Sequence, residues 1–138
     1  MSLHLAEVKT LLGEAKLPAS DLTEEHLKTF LWRGKQGHLL AVVGLELYAP
    51  VGLLRSLAVT ATSRKQGLGS ALLVDAERYA REHDVADLYL LTTTAEKFFA
   101  KAGYERIARE QAPAAIQRTQ EFSSLCPASS ALMRKRLA

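Results

Sequence analysis

Six residues, Arg64-Lys65-Gln66-Gly67-Leu68-Gly69, constrain this chain more than any other segment. They follow an apolar run, Leu53 to Val59, and open a stretch whose stripe of Leu68, Leu72, Ala76 and Tyr79 has helical spacing. Two glycines let the backbone turn tightly and approach a ligand with no Cβ in the way. A helix starting there aims unpaired N–H groups and the positive end of its dipole at one spot. Arg64 and Lys65 add formal charge beside it. Strand, basic glycine turn and helix suit a phosphorylated ligand. Taken alone, the six residues fit an ordinary strand-to-helix turn with two solvated bases equally well.

The remaining elements give the turn its setting. Leu5, Val8, Leu11, Leu12 and Ala15 predict a helix over 5–17 that Pro18 ends. Ser20-Asp21 introduces a second helix, about 21–28, with Asp21, Glu24 and Glu25 in its first turn. Phe30 to Trp32 reads as a short strand and Arg33 to Gly37 as a turn. His38 to Tyr48 is a long strand, and Ala49-Pro50 leads to a hairpin partner at Val51 to Val59. After the helix that ends near His83, Asp87 to Thr93 reads as a strand too apolar for an exposed edge. Ala95 to Lys101 is a short helix closed by Gly103. Tyr104 to Arg109 is a strand, Pro113 to Leu125 a helix, and Ser130 to Leu137 a closing strand. The order α-α-β-β-β-α-β-α-β-α-β puts antiparallel strands first and a β-α-β crossover at 53–93. It predicts one α+β domain, 1–138, with a mixed central sheet flanked by helices.

Composition narrows the class. The 138 residues are 48% hydrophobic and 24% charged, as in soluble globular proteins. A net charge of +3, without a basic stripe interleaved with aromatics, fits a small anionic ligand and gives no footing for nucleic acid. Cys126 is the one cysteine, which excludes an internal disulfide and a cysteine-based zinc cluster and suits a reducing cytosol. No apolar run approaches the roughly 18 residues of a membrane span, and the first ten residues lack the build of a secretion signal. The expectation is a cytoplasmic protein without a membrane partner. His4, His26, His38 and His83 show no metal-ligand spacing, so no metal is expected.

Several of these pieces fall into a familiar sequence. The strand Leu57-Ala58-Val59, the turn Arg64 to Gly69 with its helix, and the strand Leu88 to Thr93 come first. Then comes Ala95-Glu96-Lys97-Phe98-Phe99-Ala100-Lys101-Ala102-Gly103-Tyr104, similar to an Ala-x-x-Phe-Tyr-x-x-x-Gly-Phe signature. Together they resemble the GCN5-related N-acetyltransferase (GNAT) family. The resemblance implies acetyl-CoA as acyl donor, with Arg64, Lys65, Gln66, Gly67, Leu68 and Gly69 at its pyrophosphate. It implies that the strand at Leu57 and Val59 splays from the strand at Leu88 to Leu91, leaving backbone groups for the pantetheine arm. A backbone N–H near Val59 would polarise the thioester carbonyl, and Phe98 and Phe99 would wall the cofactor. The tract Thr92 to Phe98 and the tail from Pro113 also resemble small acetyltransferases encoded with arsenic-resistance genes.

The implied activity is direct acetyl transfer to the amine of a small molecule, such as an amino-acid-like toxin. Two other readings stay open: an acyl-CoA-binding sensor or interaction module with weak or no catalysis, and acetylation of a protein or peptide amine. A homodimer is left open as well. Acyl transfer to an amine needs the ammonium deprotonated and the thiolate protonated. Many members of the family place a tyrosine where this chain has Phe99, which has no proton to give, and Tyr104 reads as a packing aromatic. For the base, Glu46 is the candidate, a carboxylate late in a largely apolar strand whose other-face neighbours are Leu45 and Leu47. Arg55 alternates with Leu53, Leu57 and Val59 on the neighbouring strand. It would either read a carboxylate or oxyanion of the acceptor or pair with Glu46 across the hairpin. Both readings set the two charges facing one another near the acceptor.

Overall fold

The computed structural model describes residues 3–35, 37–63, 66–127 and 129–137. Its helices are α1 (Leu5–Glu14), α2 (Glu24–Leu27), α3 (Leu68–Glu82), α4 (Glu96–Lys101) and α5 (Ala114–Gln117). Its strands are β1 (Phe30–Lys35), β2 (His38–Tyr48), β3 (Val51–Val59), β4 (Asp87–Thr92), β5 (Glu105–Ile107) and β6 (Ala131–Arg136). The chain order is the one that periodicity predicts. Hydrogen bonding arranges a mixed α+β sheet as β1-β2-β3-β4-β6-β5. The apolar β4 is interior, parallel to β3 and antiparallel to β6. The parallel ladder joins Val51–Leu53 to Asp87–Tyr89.

Backbone proximity divides the chain into two compact units, Met1–Glu46 with Leu54–Arg78 and Leu47–Leu53 with Tyr79–Ala138. β3 passes from the second into the first. In the first unit, α1 buries Val8, Leu11 and Leu12 at helical spacing against Leu22, Leu27, Phe30, Val42 and Ala58. β1 is longer than expected. Arg33 pairs with Ala41, Gly34 with Leu39 and Lys35 with His38, past a register shift that Gly34 accommodates at φ +122. Phe30 lies opposite Gly44, where a Cβ would run into its ring.

Both N-terminal helices are shorter than their patterns suggest. α1 ends at Glu14 because Lys16 turns left-handed (φ 59) and the next two amides fold back. Lys16 N–H donates to the Gly13 carbonyl at 3.1 Å and Leu17 N–H to the Leu12 carbonyl at 2.9 Å, a Schellman closure. Pro18 therefore follows an end already made. α2 starts at Glu24, with His26 Nδ1 accepting the Thr23 N–H at 3.1 Å. Asp21 is thus outside the helix whose first turn it was expected to occupy.

In the second unit, Leu53, Tyr89, Ala112, Ile116 and Leu132 form a buried apolar cluster. The helix expected over Pro113 to Leu125 breaks after Gln117 and resumes as a π turn over Glu121–Leu125. Thr119 explains the break. Its hydroxyl donates back to the Ile116 carbonyl at 2.7 Å and accepts the Phe122 N–H at 3.3 Å, competing with α-helical bonding. Among the described residues, no helix is long and apolar enough to cross a membrane.

Candidate active site

β2 carries Glu46 three residues before the turn, and β3, its neighbour in the sheet, carries Arg55. The structure brings them together: Arg55 Nη1 donates to Glu46 Oε2 at 2.8 Å. The pair foreseen across the hairpin is therefore present. It is not alone. Asp21 takes both ends of the guanidinium, Oδ2 from Nη1 at 2.6 Å and Oδ1 from Nη2 at 2.8 Å. Arg55 Nε donates to Ser56 Oγ at 3.1 Å.

Burial makes these contacts matter. The Arg55 side chain is 0% exposed, Asp21 3% and Glu46 10%. A guanidinium without solvent is tolerable only when paired, and the fork-to-fork contact with Asp21 is the strongest form such a pair takes. Burial pushes the Asp21 carboxyl up. The hydrogen bonds and charge of Arg55, with a contribution from His26, outweigh it and leave the pKa below the ordinary aspartate value. Ligand atoms of Asp21, His26 and Glu46 lie within 4.8 Å of one another, a grouping that sequence spacing did not disclose. The Arg55 guanidinium supplies the cation that the two carboxylates share.

The backbone at this point is unusual. Ser56, buried in the middle of β3, has φ 62. A left-handed non-glycine residue inside a strand is bulge geometry and costs about 1–2 kcal/mol. It interrupts the strict alternation that was to carry Arg55 onto one face with Leu57 and Val59. Such strain persists where surrounding contacts over-determine it, and Arg55 bonds to the Ser56 hydroxyl as well as to two carboxylates.

The segments assigned by resemblance to the acyl donor are described in part. Arg64 and Lys65 lie outside the described residues. Gln66 and Gly67 are exposed, and Gly67 has φ +79. Helical bonding begins with Ala71 N–H to the Gly67 carbonyl at 3.0 Å. α3 carries no acid in its first turn. Leu57, Val59, Leu68 and Gly69 are half-buried. On α4 the two aromatics separate in environment: Phe98 is 37% exposed and Phe99 is 6%. Phe99 meets Phe98 edge-on at 5.1 Å and Tyr104 at 5.7 Å, so Phe99 and Tyr104 are packing residues first.

A model of the acetyltransferase (GNAT) family matches residues 6–107, well over half of the chain. The chain is similar to the uncharacterized N-acetyltransferase CT2212 of Chlorobaculum tepidum, 30% identical over 95 residues. That match covers 68% of this chain and 61% of the relative, so the chain spans about six tenths of its length. Among solved structures it is similar to N-acetylglutamate synthase from Neisseria gonorrhoeae complexed with coenzyme A and N-acetyl-glutamate. The TM-score is 0.80 at 22% identity, over 98% of this chain and 32% of the synthase. It is likewise similar to Rv2747 from Mycobacterium tuberculosis in complex with CoA and NLQ, with TM-score 0.80 and 20% identity, over 97% and 94% of the two chains. At these identities the two structures speak for the fold.

Proposed function

The chain belongs to the acetyltransferase (GNAT) family, and on that premise we propose that it is an acetyl-CoA-dependent N-acetyltransferase acting directly on the amine of a small molecule. The acceptor class favoured is an amino-acid-like toxin, supported by the resemblance of the tail from Pro113 to acetyltransferases encoded with arsenic-resistance genes. The same reading treats 1–138 as one acetyltransferase domain working in the cytosol. The observation that carries it is Glu46: a carboxylate at the accessible edge of a buried ion cluster, aimed by Arg55 at 2.8 Å.

The residues fit coenzyme A. Gly67 opens α3 in a left-handed conformation, and the first turn offers N–H groups with no competing acid. When bound, acetyl-CoA supplies an activated thioester. Glu46 takes the proton of the acceptor ammonium, directly or through a water. Arg55 and Asp21 are positioning residues that fix where Glu46 points. Phe99 offers no proton, so the chain supplies no general acid at that position.

Phe99 also favours a second reading, an acyl-CoA-binding sensor. Two measurements decide. Acetyl-CoA should raise the melting temperature and ATP should not; equal stabilisation by ATP overturns the donor assignment. Thiol release from acetyl-CoA should appear with at least one amine of a panel that spans acidic amino acids, simple amines and peptides. Silence on every amine, with acetyl-CoA still stabilising, establishes the sensor. Turnover confined to peptides moves the acceptor to a protein amine.

A further inference from the structure

We propose that Arg33 guards the open edge of the sheet, holding β1 against antiparallel pairing with a second copy of this chain. The inference is independent of the chemistry proposed above.

β1 ends the sheet, so β2 pairs with one side of its backbone and, among the described residues, no strand pairs with the other. The ladder tells which groups face outward. Leu45 N–H donates to the Thr29 carbonyl at 3.1 Å. In an antiparallel ladder such bonded positions alternate with positions whose N–H and C=O point away. In the register that runs from Phe30↔Gly44 to Arg33↔Ala41, Leu31 and Arg33 therefore bond to β2. Phe30 and Trp32 turn their N–H and C=O to the open side. A donor and an acceptor on each of two alternate residues make a self-complementary edge. A second β1 running antiparallel, the two Leu31 residues facing one another, would let Phe30 of each copy exchange N–H···O bonds with Trp32 of the other. The opposite edge, β5, is three residues long, whereas β1 has six, so β1 is the edge exposed to this hazard.

Arg33 sits on the acceptor that such pairing needs. Its Nη1 donates to the Trp32 carbonyl at 3.1 Å, the group that would otherwise take the Phe30 N–H of the second copy. Its Nη2 donates to Asp75 Oδ2 on α3. Arg78, one turn along the helix, reaches Asp75 Oδ1 at 3.3 Å. The Arg33 side chain is 41% exposed, so burial does not oblige it to find a partner as it does at Arg55. What holds it is the pair of bonds, one to a carboxylate on the helix and one to the strand edge. A charged donor on a carbonyl is a stronger bond than a backbone amide makes, so the guard outcompetes the incoming strand. Directly after it the register shifts at Gly34, which ends the regular edge. Guard and bulge together leave no uninterrupted stretch of β1 for a second strand to follow.

The test compares the wild-type chain with Arg33→Ala by analytical ultracentrifugation over a wide range of protein concentration, with amide hydrogen exchange recorded by NMR at both ends of the range. A two-fold pairing frees two Trp32 carbonyls at once, so Arg33→Ala should self-associate at least about tenfold more tightly than wild type. The Phe30 and Trp32 amides of the variant should gain protection as concentration rises, and those of the wild type should not. Asp75→Asn keeps the guanidinium but weakens its tether, and it decides in the same way if Arg33→Ala does not fold. Association no tighter than wild type overturns the guard. So does tighter association that leaves the Phe30 and Trp32 amides unprotected, since it then uses another surface. A wild-type chain already paired through those amides overturns it as well.

Discussion

Asp21 closes both carboxylate oxygens on the guanidinium of Arg55, at 2.6 and 2.8 Å, across 34 residues of sequence. The contact ties the segment before α2 to the middle of β3, beside the left-handed Ser56. It gives Arg55 a fixed direction, and Arg55 in turn positions Glu46. A site residue is thereby held by one that no local pattern connects with it.

Removal of that support should be costly. Asp21→Ala strands one side of a fully buried guanidinium, and we expect a loss of about 3–5 kcal/mol in urea-induced unfolding. A loss below about 1 kcal/mol, the range of exposed ion pairs, would show that Arg55 does not depend on Asp21.

Acid should act through the same carboxyl. Its pKa is lowered in the folded chain, so the unfolded chain binds more protons as pH falls. The stabilisation is complete above the ordinary aspartate value, roughly 3.9, and is lost as pH falls from there through the folded value. Melting temperature should therefore drop as pH falls below about 4 in the wild type. Asp21→Asn, already less stable at pH 7, should show a shallower drop; parallel profiles would assign the acid sensitivity elsewhere.

The two aromatics of α4 should separate by phenotype. Phe99→Ala empties a site that is 6% exposed and should cost about 3–5 kcal/mol of stability. Phe98→Ala, at 37% exposed, should cost under about 1.5 kcal/mol and instead raise KM for acetyl-CoA. Calorimetric melts and donor-dependent kinetics read both effects, and a Phe98 variant with an unchanged donor KM would remove it from the donor site.

Gly67 offers a backbone test. Nothing lies within 4 Å of the place a Cβ would take, so Gly67→Ala meets no clash, only its φ of +79. The left-handed penalty, about 1–2 kcal/mol, should lower the melting temperature modestly and weaken stabilisation by acetyl-CoA. Unaltered acetyl-CoA binding would place the donor away from the start of α3.

The legible features are those written in local spacing. Val8, Leu11 and Leu12 fall on one helical face whatever they pack against, and all three are read and found buried. The hairpin of β2 and β3 brings Glu46 near Arg55 through chain geometry alone. The features that escaped depend on competition between local and distant bonds. Lys16 ends α1 by folding amides back, a choice its identity does not announce, and Thr119 spends its hydroxyl on Ile116 where an unbroken helix was expected. Asp21 looked like a first-turn acid, a role that needs only its neighbours, whereas its actual partner depends on the fold.

The sequence by itself determined the order of the α-helices and strands, the glycine turn ahead of α3 and the family to which the chain belongs, because periodicity, turn residues and motif spacing are properties of adjacent positions. Only the tertiary structure decided the state of Arg55. A guanidinium in water needs no particular partner; one that is buried must be neutralised, and which carboxylates do so depends on what folding brings within 3 Å. Here they are Asp21 and Glu46.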